Sequence, residues 1–306
     1  MNTDRRFLRI SLCSIQSVEW ASAKYRAKFY AEQLAKVRFA FCNFQSKGRK
    51  HMNINDNTIL VTGGGSGIGR GLAEAFLKAG NQVVIAGRRR EALQEATAAN
   101  PGMKAVVLDI ENPKSIRTVA SQMASEFPAL NVVINNAGIM RPENLKAPPQ
   151  ELVDAEAMVT TNLLGPIRLT GALLPLLRSQ PRSTIMTVSS GLAFLPLAMT
   201  PTYCATKAAI HSYTLSLRWQ LKGTSTEVIE LIPPYVQTHL MGPQQAEDAR
   251  AMPLADFLTE VMQILKTQPD VTEVCVERVK PLRFAAESGK FDATFQSFNE
   301  AMPAPH

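Results

Sequence analysis

Ile59-Leu60-Val61-Thr62-Gly63-Gly64-Gly65-Ser66-Gly67-Ile68-Gly69 decides how this chain is read. A short apolar run enters a glycine-rich turn, and Leu72 and Phe76 then recur at helical spacing until Gly80. Strand, glycine turn and helix N-terminus together form an anion site. The backbone N–H groups and the positive helix end face a phosphate that side chains would otherwise block. The glycines match neither GxGxxG nor the GxxxxGK[ST] of nucleotide triphosphate binders; their spacing is TGxxxGxG.

The next apolar run, Val83-Val84-Ile85-Ala86, ends in Gly87-Arg88-Arg89-Arg90. In dinucleotide-binding folds an acidic residue near this strand end grips the ribose 2′-hydroxyl, whereas an arginine accepts a 2′-phosphate. Gly87 stands at the acid position and Arg88 follows it, which argues for NADP over NAD. Arg89 and Arg90 read as a solvated helix start. Further strands are expected at Ala105-Val106-Val107-Leu108, Val132-Val133-Ile134, Ile185-Met186-Thr187-Val188, Val228-Ile229-Glu230-Leu231-Ile232 and in residues 271–284. A helix is expected from about Glu151 to Leu177, and a buried asparagine within it, Asn162, needs partners for its amide. Strands alternating with helices predict an α/β fold, a doubly wound parallel sheet in a single Rossmann domain from about Asn53 to Glu300.

The 306 residues carry a net charge of +7, but residues 1–51 hold +8 of it and residues 52–306 carry −1. The folded part therefore gives no electrostatic reason to expect nucleic acid. No apolar run approaches a membrane span, so no stable membrane insertion is expected. Cys13, Cys42, Cys204 and Cys275 are scattered, with no CxxC and no clustered histidines, so neither a disulfide framework nor a metal site is read. That pattern is compatible with a reducing, cytoplasmic setting. In the basic leader, Tyr30, Leu34, Val37 and Phe41 recur at helical spacing beside Lys24, Lys28 and Arg38. Three readings are weighed: a membrane-surface or targeting helix; an export signal from Arg5-Arg6-Phe7-Leu8 and Ala21-Ser22-Ala23, whose apolar region Arg9, Ser11, Ser14 and Gln16 break up; and, favoured, an extension outside the fold, with domain residues starting at Met52.

In the second half, Tyr203 and Lys207 lie four residues apart on one helical face. A nearby cation favours a phenolate, which would bring a tyrosine into the range of proton exchange near neutral pH. A packed ring beside a solvated charge is the plain alternative. Ser189-Ser190-Gly191 ends the fifth strand, where a hydroxyl is well placed to donate to a substrate carbonyl.

These motifs, in this order, resemble the short-chain dehydrogenase/reductase family over essentially all of residues 52–306, by TGxxxGxG, Asn135-Asn136-Ala137-Gly138, Asn162, Ser190 and Tyr203-Cys204-Ala205-Thr206-Lys207. The Pro233-Pro234 pair, where the family usually has Pro-Gly, is similar to the branch labelled DltE-like. The resemblance implies a catalytic set of Asn162, Ser190, Tyr203 and Lys207. Ser190 is selected over Ser189 because the family's serine lies thirteen residues before the tyrosine. It also implies cofactor contacts from Gly63, Gly65, Ser66, Gly67, Ile68 and Gly69, and from Arg88. Asp109 and Ile110 would lie near the adenine, and Asn136, Ala137 and Gly138 would form a wall along the cofactor. Pro233, Val236 and Thr238 would approach the nicotinamide, and Tyr203 and Lys207 its ribose. Asp109 could instead cap the helix that follows. Residues 239–254 correspond to the family's substrate lid; Met241 and Met252 within it and Tyr235 before it suggest an apolar pocket, with plain packing as the equal alternative. The tail after Phe298 reads as frayed.

The implied activity is reversible hydride transfer between NADP(H) and a small alcohol or carbonyl compound, by a homodimer or homotetramer. The alternative is a non-catalytic NADPH-binding sensor or scaffold on the same fold.

Overall fold

The computed structural model describes residues 52–146 and 152–302; the leader and the helix read in it lie outside the described residues. The glycine-rich stretch folds as expected. Strand β1, Thr58–Thr62, is buried along its whole length and leads through the turn into helix α1, Gly67–Lys78. Alternation along β1 divides the interior. Ile59 and Val61 enter a core with Leu72, Phe76, Phe257 and Val261, while Leu60 enters a second core with Val84, Ile116, Leu169 and Leu173. Both faces of the strand are apolar because both faces of the sheet are covered.

Then follow β2 (Gln82–Gly87), α2 (Arg90–Ala99), β3 (Lys104–Val107), α3 (Pro113–Glu126) and β4 (Leu130–Asn135). Helix α3 begins where Pro113 presets the first turn and the Asn112 side chain accepts from the N–H groups of Lys114 and Ser115. Asn112 is thus the cap. The Asp109 carboxylate instead accepts from the Glu111 N–H at 3.1 Å.

The long helix is split. It comprises α4 (Val153–Val159), a π-helical turn (Thr160–Leu164) and α5 (Gly165–Ser179), and Asn162 sits in the widened turn. Strand β5 (Ser183–Val188), a short 3₁₀ turn (Gly191–Ala193), α6 (Pro201–Gln220) and β6 (Thr226–Ile232) complete the central part. The chain ends with α7 (Pro243–Glu247), α8 (Leu254–Thr267), β7 (Glu273–Cys275), α9 (Lys280–Arg283) and α10 (Phe291–Glu300). Residues after Phe298 are not frayed as far as 302: the Asn299 side chain accepts from the Ala198 N–H at 2.6 Å and donates to the Pro196 carbonyl at 3.2 Å.

Among the described residues seven strands form one parallel sheet, in the order β3-β2-β1-β4-β5-β6-β7. The direction of winding reverses between β1 and β4. Crossovers on either side of that point leave on opposite faces and open a crevice at the carboxyl ends of the strands, where ligands of such sheets bind.

Candidate active site

The crevice is a cavity of about 690 Å³, and one wall is the glycine-rich turn: Gly63, Gly65, Ser66, Gly67 and Ile68 all line it. Gly63 adopts φ +66°, a conformation costly for a side chain. Gly69 lies behind the turn, where a Cβ would come within 2.4 Å of the Gly63 carbonyl and 2.3 Å of the Asn136 amide. No other residue fits. The turn therefore presents backbone and a helix N-terminus to the cavity, as an anion requires.

Arg88 and Arg89 flank this wall. Arg88, half exposed, pairs with Glu111 at 2.7 Å, and the same carboxylate oxygen accepts from Thr161 at 2.8 Å. Arg89 is exposed at the start of α2, as the sequence suggests, and its guanidinium also donates to the Ser66 hydroxyl at 3.0 Å, because the β2 exit runs beside the turn. Gly87, the last residue of β2, also lines the cavity, so no carboxylate stands at that position.

The opposite wall comes from β4. The Asn136 side chain donates to the Thr62 carbonyl at 2.9 Å, and the Thr62 hydroxyl accepts from the N–H groups of Asn136 and Ala137, both at 3.0 Å. These bonds stitch the end of β4 to β1 and aim Asn136, Ala137 and Gly138 along the cavity. Leu108 and Ile110 line it as well, while Asp109, between them, is not among the lining residues.

Asn162 stands behind Gly138 and satisfies its amide. Its oxygen accepts from the Ile139 N–H at 2.8 Å, and its nitrogen donates to the Ile139 carbonyl at 2.9 Å and the Thr206 hydroxyl at 3.2 Å. It thereby joins the β4 exit to α6.

Helix α6 brings Tyr203 and Lys207 to the cavity. Pro201 starts it, and Glu143 fastens its first turn by accepting from the Thr202 N–H and hydroxyl at 2.9 and 2.8 Å. Ser190, Tyr203 and Lys207 line one cavity with the glycine-rich turn. Ser190 acts on the phenol and holds its pKa down. Lys207 donates to the Val188 carbonyl at 2.9 Å, with its Nζ 5.6 Å from the Tyr203 ring centroid.

The electrostatics correct one expectation. Burial raises the Tyr203 pKa above the usual phenol value, and only Ser190 opposes it. Lys207 is not among the groups that shift the phenol; burial pushes its own pKa down to about 8, with Glu230 pulling it back up. Ser189 also lines the cavity, and its buried hydroxyl has no hydrogen-bond partner among the described residues.

Pro233, Pro234, Val236 and Thr238 close the far end, and Pro233 accepts from the Gly191 N–H at 2.9 Å. Val236 pairs with Met252 as an isolated parallel bridge. Gln245, passed over in the sequence, is buried and donates to the Val236 carbonyl at 2.8 Å and the Thr238 hydroxyl at 3.1 Å. A lone glutamine in a loop carries no pattern that could have found it. The pocket residues read from the sequence are only partly brought together. Met241 packs in the apolar cluster that holds Tyr203, whereas Met252 joins the main core and the Tyr235 hydroxyl donates to Asp248 at 3.1 Å. None of Tyr235, Met241 and Met252 lines the cavity.

Comparison with known proteins agrees with this geometry. The family profile described as short chain dehydrogenase matches residues 57–249. An uncharacterised oxidoreductase of Bacillus subtilis, DltE, is 38% identical over 251 residues, covering 81% of this chain and 98% of the relative. An uncharacterised oxidoreductase of Staphylococcus aureus is 29% identical over 75% of this chain and 99% of its own length. Among solved structures, a Burkholderia cenocepacia short chain dehydrogenase in complex with NADP has a TM-score of 0.67 at 25% identity, covering 83% of this chain and 100% of its own. A Burkholderia phymatum short chain dehydrogenase/reductase in complex with NAD has a TM-score of 0.69 at 19% identity, with 79% and 96% covered. With the fold, the turn and the Ser190–Tyr203–Lys207 arrangement alongside a match over most of its length, the chain belongs to the short-chain dehydrogenase/reductase family of oxidoreductases.

Proposed function

We propose that the protein is an NADP(H)-dependent oxidoreductase interconverting a small alcohol and its carbonyl compound, with Tyr203 as general acid and base. The observation that carries this reading is the opening of Ser190, Tyr203 and Lys207 into the same cavity as the glycine-rich turn. The turn suits a pyrophosphate, since a side chain at Gly69 would collide with the backbone beneath it. Gly87 in place of an acid, with Arg88 and Arg89 beside it, favours a 2′-phosphate.

When bound, the nicotinamide supplies a hydride to the carbonyl carbon in reduction and accepts one from the carbinol carbon in oxidation. Ser190 donates a hydrogen bond to the reacting oxygen. In reduction Tyr203 passes its phenolic proton to that oxygen as the C=O electron pair moves onto it; in oxidation the phenolate takes the proton back. The raised pKa of the phenol keeps it protonated at neutral pH, the form an acid needs. Lys207 supports the pair with a positive charge and is assigned to the nicotinamide ribose. Asn162, packed beside Gly138 with Lys207 close by, is assigned to holding a water of the proton path. Val236 and Thr238, braced by Gln245, are assigned to the nicotinamide end, and Asp109 and Ile110 to the adenine end.

The proposal includes a homo-oligomer built through the outer faces of the helices bearing Asn162 and Tyr203, where Leu164, Leu215 and Trp219 are exposed. A cytoplasmic setting is supported by Cys204 and Cys275, which are free thiols. No described helix is long and apolar enough to cross a membrane.

The test is turnover of an aldehyde and ketone panel by wild type and Tyr203→Phe. A loss in kcat of about a hundredfold or more, with NADPH still bound in a fluorescence titration, is expected. Turnover that survives the substitution unchanged removes the catalytic assignment.

A further inference from the structure

The cavity that holds Ser190 and Tyr203 is lined by Arg88, Arg89, Arg141 and Lys207, and by no carboxylate among the described residues. The acids closest in sequence or pairing are turned elsewhere: Glu111 holds Arg88 and Thr161, and Glu143 faces the first turn of α6. A positive substituent on the substrate would lose its hydration here with no carboxylate to replace it, whereas a negative one meets favourable charge.

Three of these four cations have a place already. Arg88 and Arg89 stand at the β2 exit beside the glycine-rich turn, on the side assigned to the cofactor's 2′-phosphate, and Lys207 donates to the Val188 carbonyl. His239, which also lines the cavity, follows Thr238, whose side chain lies against Gly67, so it belongs to the side of the turn. Arg141 has no such duty.

The neighbours of Arg141 in sequence fix it beside Tyr203. Asn162 holds both the N–H and the carbonyl of Ile139, and Met140 packs in the cluster that contains Tyr203. Glu143 donates its N–H to the Met199 carbonyl at 2.9 Å and accepts from Thr202, one residue before the phenol. The Arg141 guanidinium donates to the Met140 carbonyl at 3.0 Å, and its remaining N–H groups have no hydrogen-bond partner among the described residues. Asp154 lies 4.0 Å away, and with the two side chains exposed at 46% and 66% the pair is weak and yields to a better-placed anion. A guanidinium offers a planar fork that serves both oxygens of one carboxylate; a phosphate has a third oxygen that a single fork leaves unserved.

Resting on the oxidoreductase reading, we infer that the substrate is a hydroxy acid or the matching oxo acid, its carboxylate held in the Arg141 fork and its carbinol or carbonyl carbon at Ser190 and Tyr203. The acid group passes through unchanged. In oxidation the carbinol C–H bond breaks with its electron pair leaving as hydride to the nicotinamide, the O–H proton goes to the Tyr203 phenolate, and the C=O bond forms; reduction is the reverse.

The experiment measures kcat and KM for the 2-oxo, 3-oxo and 4-oxo pentanoic acids and for the methyl ester of each, with whichever of NADPH and NADH binds more tightly. At least one acid is expected to exceed its ester in kcat/KM by roughly tenfold or more. In Arg141→Ala that ratio should fall to about one, through KM more than kcat, and Arg141→Lys should recover only part of it, since an ammonium keeps the charge and loses the fork. The dissociation constant of the cofactor, read by fluorescence titration, should not move in either variant. Esters turned over as well as the acids or better, or a ratio that Arg141→Ala leaves unaltered, overturns this inference alone. Cofactor binding weakened tenfold by Arg141→Ala also overturns it, because the guanidinium then serves a cofactor phosphate. The comparison of acid with ester in wild type needs no variant, so a substitution that fails to fold leaves the test standing. A wild-type protein that turns over no carbonyl compound at all, charged or uncharged, removes the oxidoreductase reading and this inference together.

Discussion

Lys207 and Tyr203 share a helical face by spacing, yet burial decides what each does. With the ammonium pushed down to about 8, Lys207 is charged below that pH and neutral above it. The free protein's kcat/KM for reduction should therefore fall along a limb near pH 8, and Lys207→Met should abolish that limb along with most activity. A wild-type profile level to about pH 10 would remove the requirement for the ammonium. The arginines at the end of β2 carry a second prediction. The Arg88–Glu111 pair is exposed and worth no more than about 1 kcal/mol, so a phosphate can draw Arg88 away cheaply. Arg88→Ala and Arg89→Ala should each weaken NADPH binding by roughly tenfold or more in a fluorescence titration, leaving NADH nearly unaffected. Tighter binding of NADH than NADPH by wild type would end the assignment of both arginines.

The element that ties the reactive helix to the sheet is a buried ion network. Tyr203, Lys207 and His211 occupy one row of α6, and His211 shares a 2.8 Å hydrogen bond with Glu230 of β6, which is 0% exposed. The His211 ring stacks edge-on against Phe194 at 4.6 Å, and Arg283 lies 4.4 Å over the other ring of that pair. His211, Glu230 and Glu273 bring three donor atoms within 4.8 Å of one another. Arg283, however, holds both Glu273 oxygens at 2.8 and 3.3 Å, which makes this a protein ion network. Its weak point is the second Glu230 oxygen, which has no hydrogen-bond partner among the described residues. His211→Ala would strip the carboxylate of its one bond, and should cost about 3 kcal/mol in a urea unfolding measurement. Replacing both partners, His211→Phe with Glu230→Met, should recover more than half of that loss, because no charge then remains buried. If the double variant is the less stable of the two, the pair stabilises by more than its desolvation costs.

At the scale of the whole molecule, the strands, their parallel order and the position of the crevice were legible because each rests on a local pattern. The glycine-rich turn needs backbone conformations that few residues adopt, the apolar runs are short and punctuated, and Asn112-Pro113 starts a helix by its own chemistry. The Tyr203–Lys207 spacing is likewise local. What stayed hidden depends on segments far apart in the chain. The solvated Arg89 gave no sign of its hydrogen bond to Ser66, and Gln245 looked like any loop glutamine until it bridged Val236 and Thr238. The tail looked frayed because its anchor, the Pro196–Ala198 segment, is about a hundred residues away. The direction of the Tyr203 pKa shift was misread for the same reason: a helical neighbour four residues on is visible in the sequence, but desolvation is set by everything packed around the ring. Local stereochemistry and periodicity thus determined the strands, the helices and the glycine-rich turn from sequence alone, and the order of its motifs pointed to the family. Burial, the pairing of distant charges and the apolar cluster that holds Tyr203 were decided only in three dimensions, because solvent exclusion belongs to the packed molecule and not to any stretch of it.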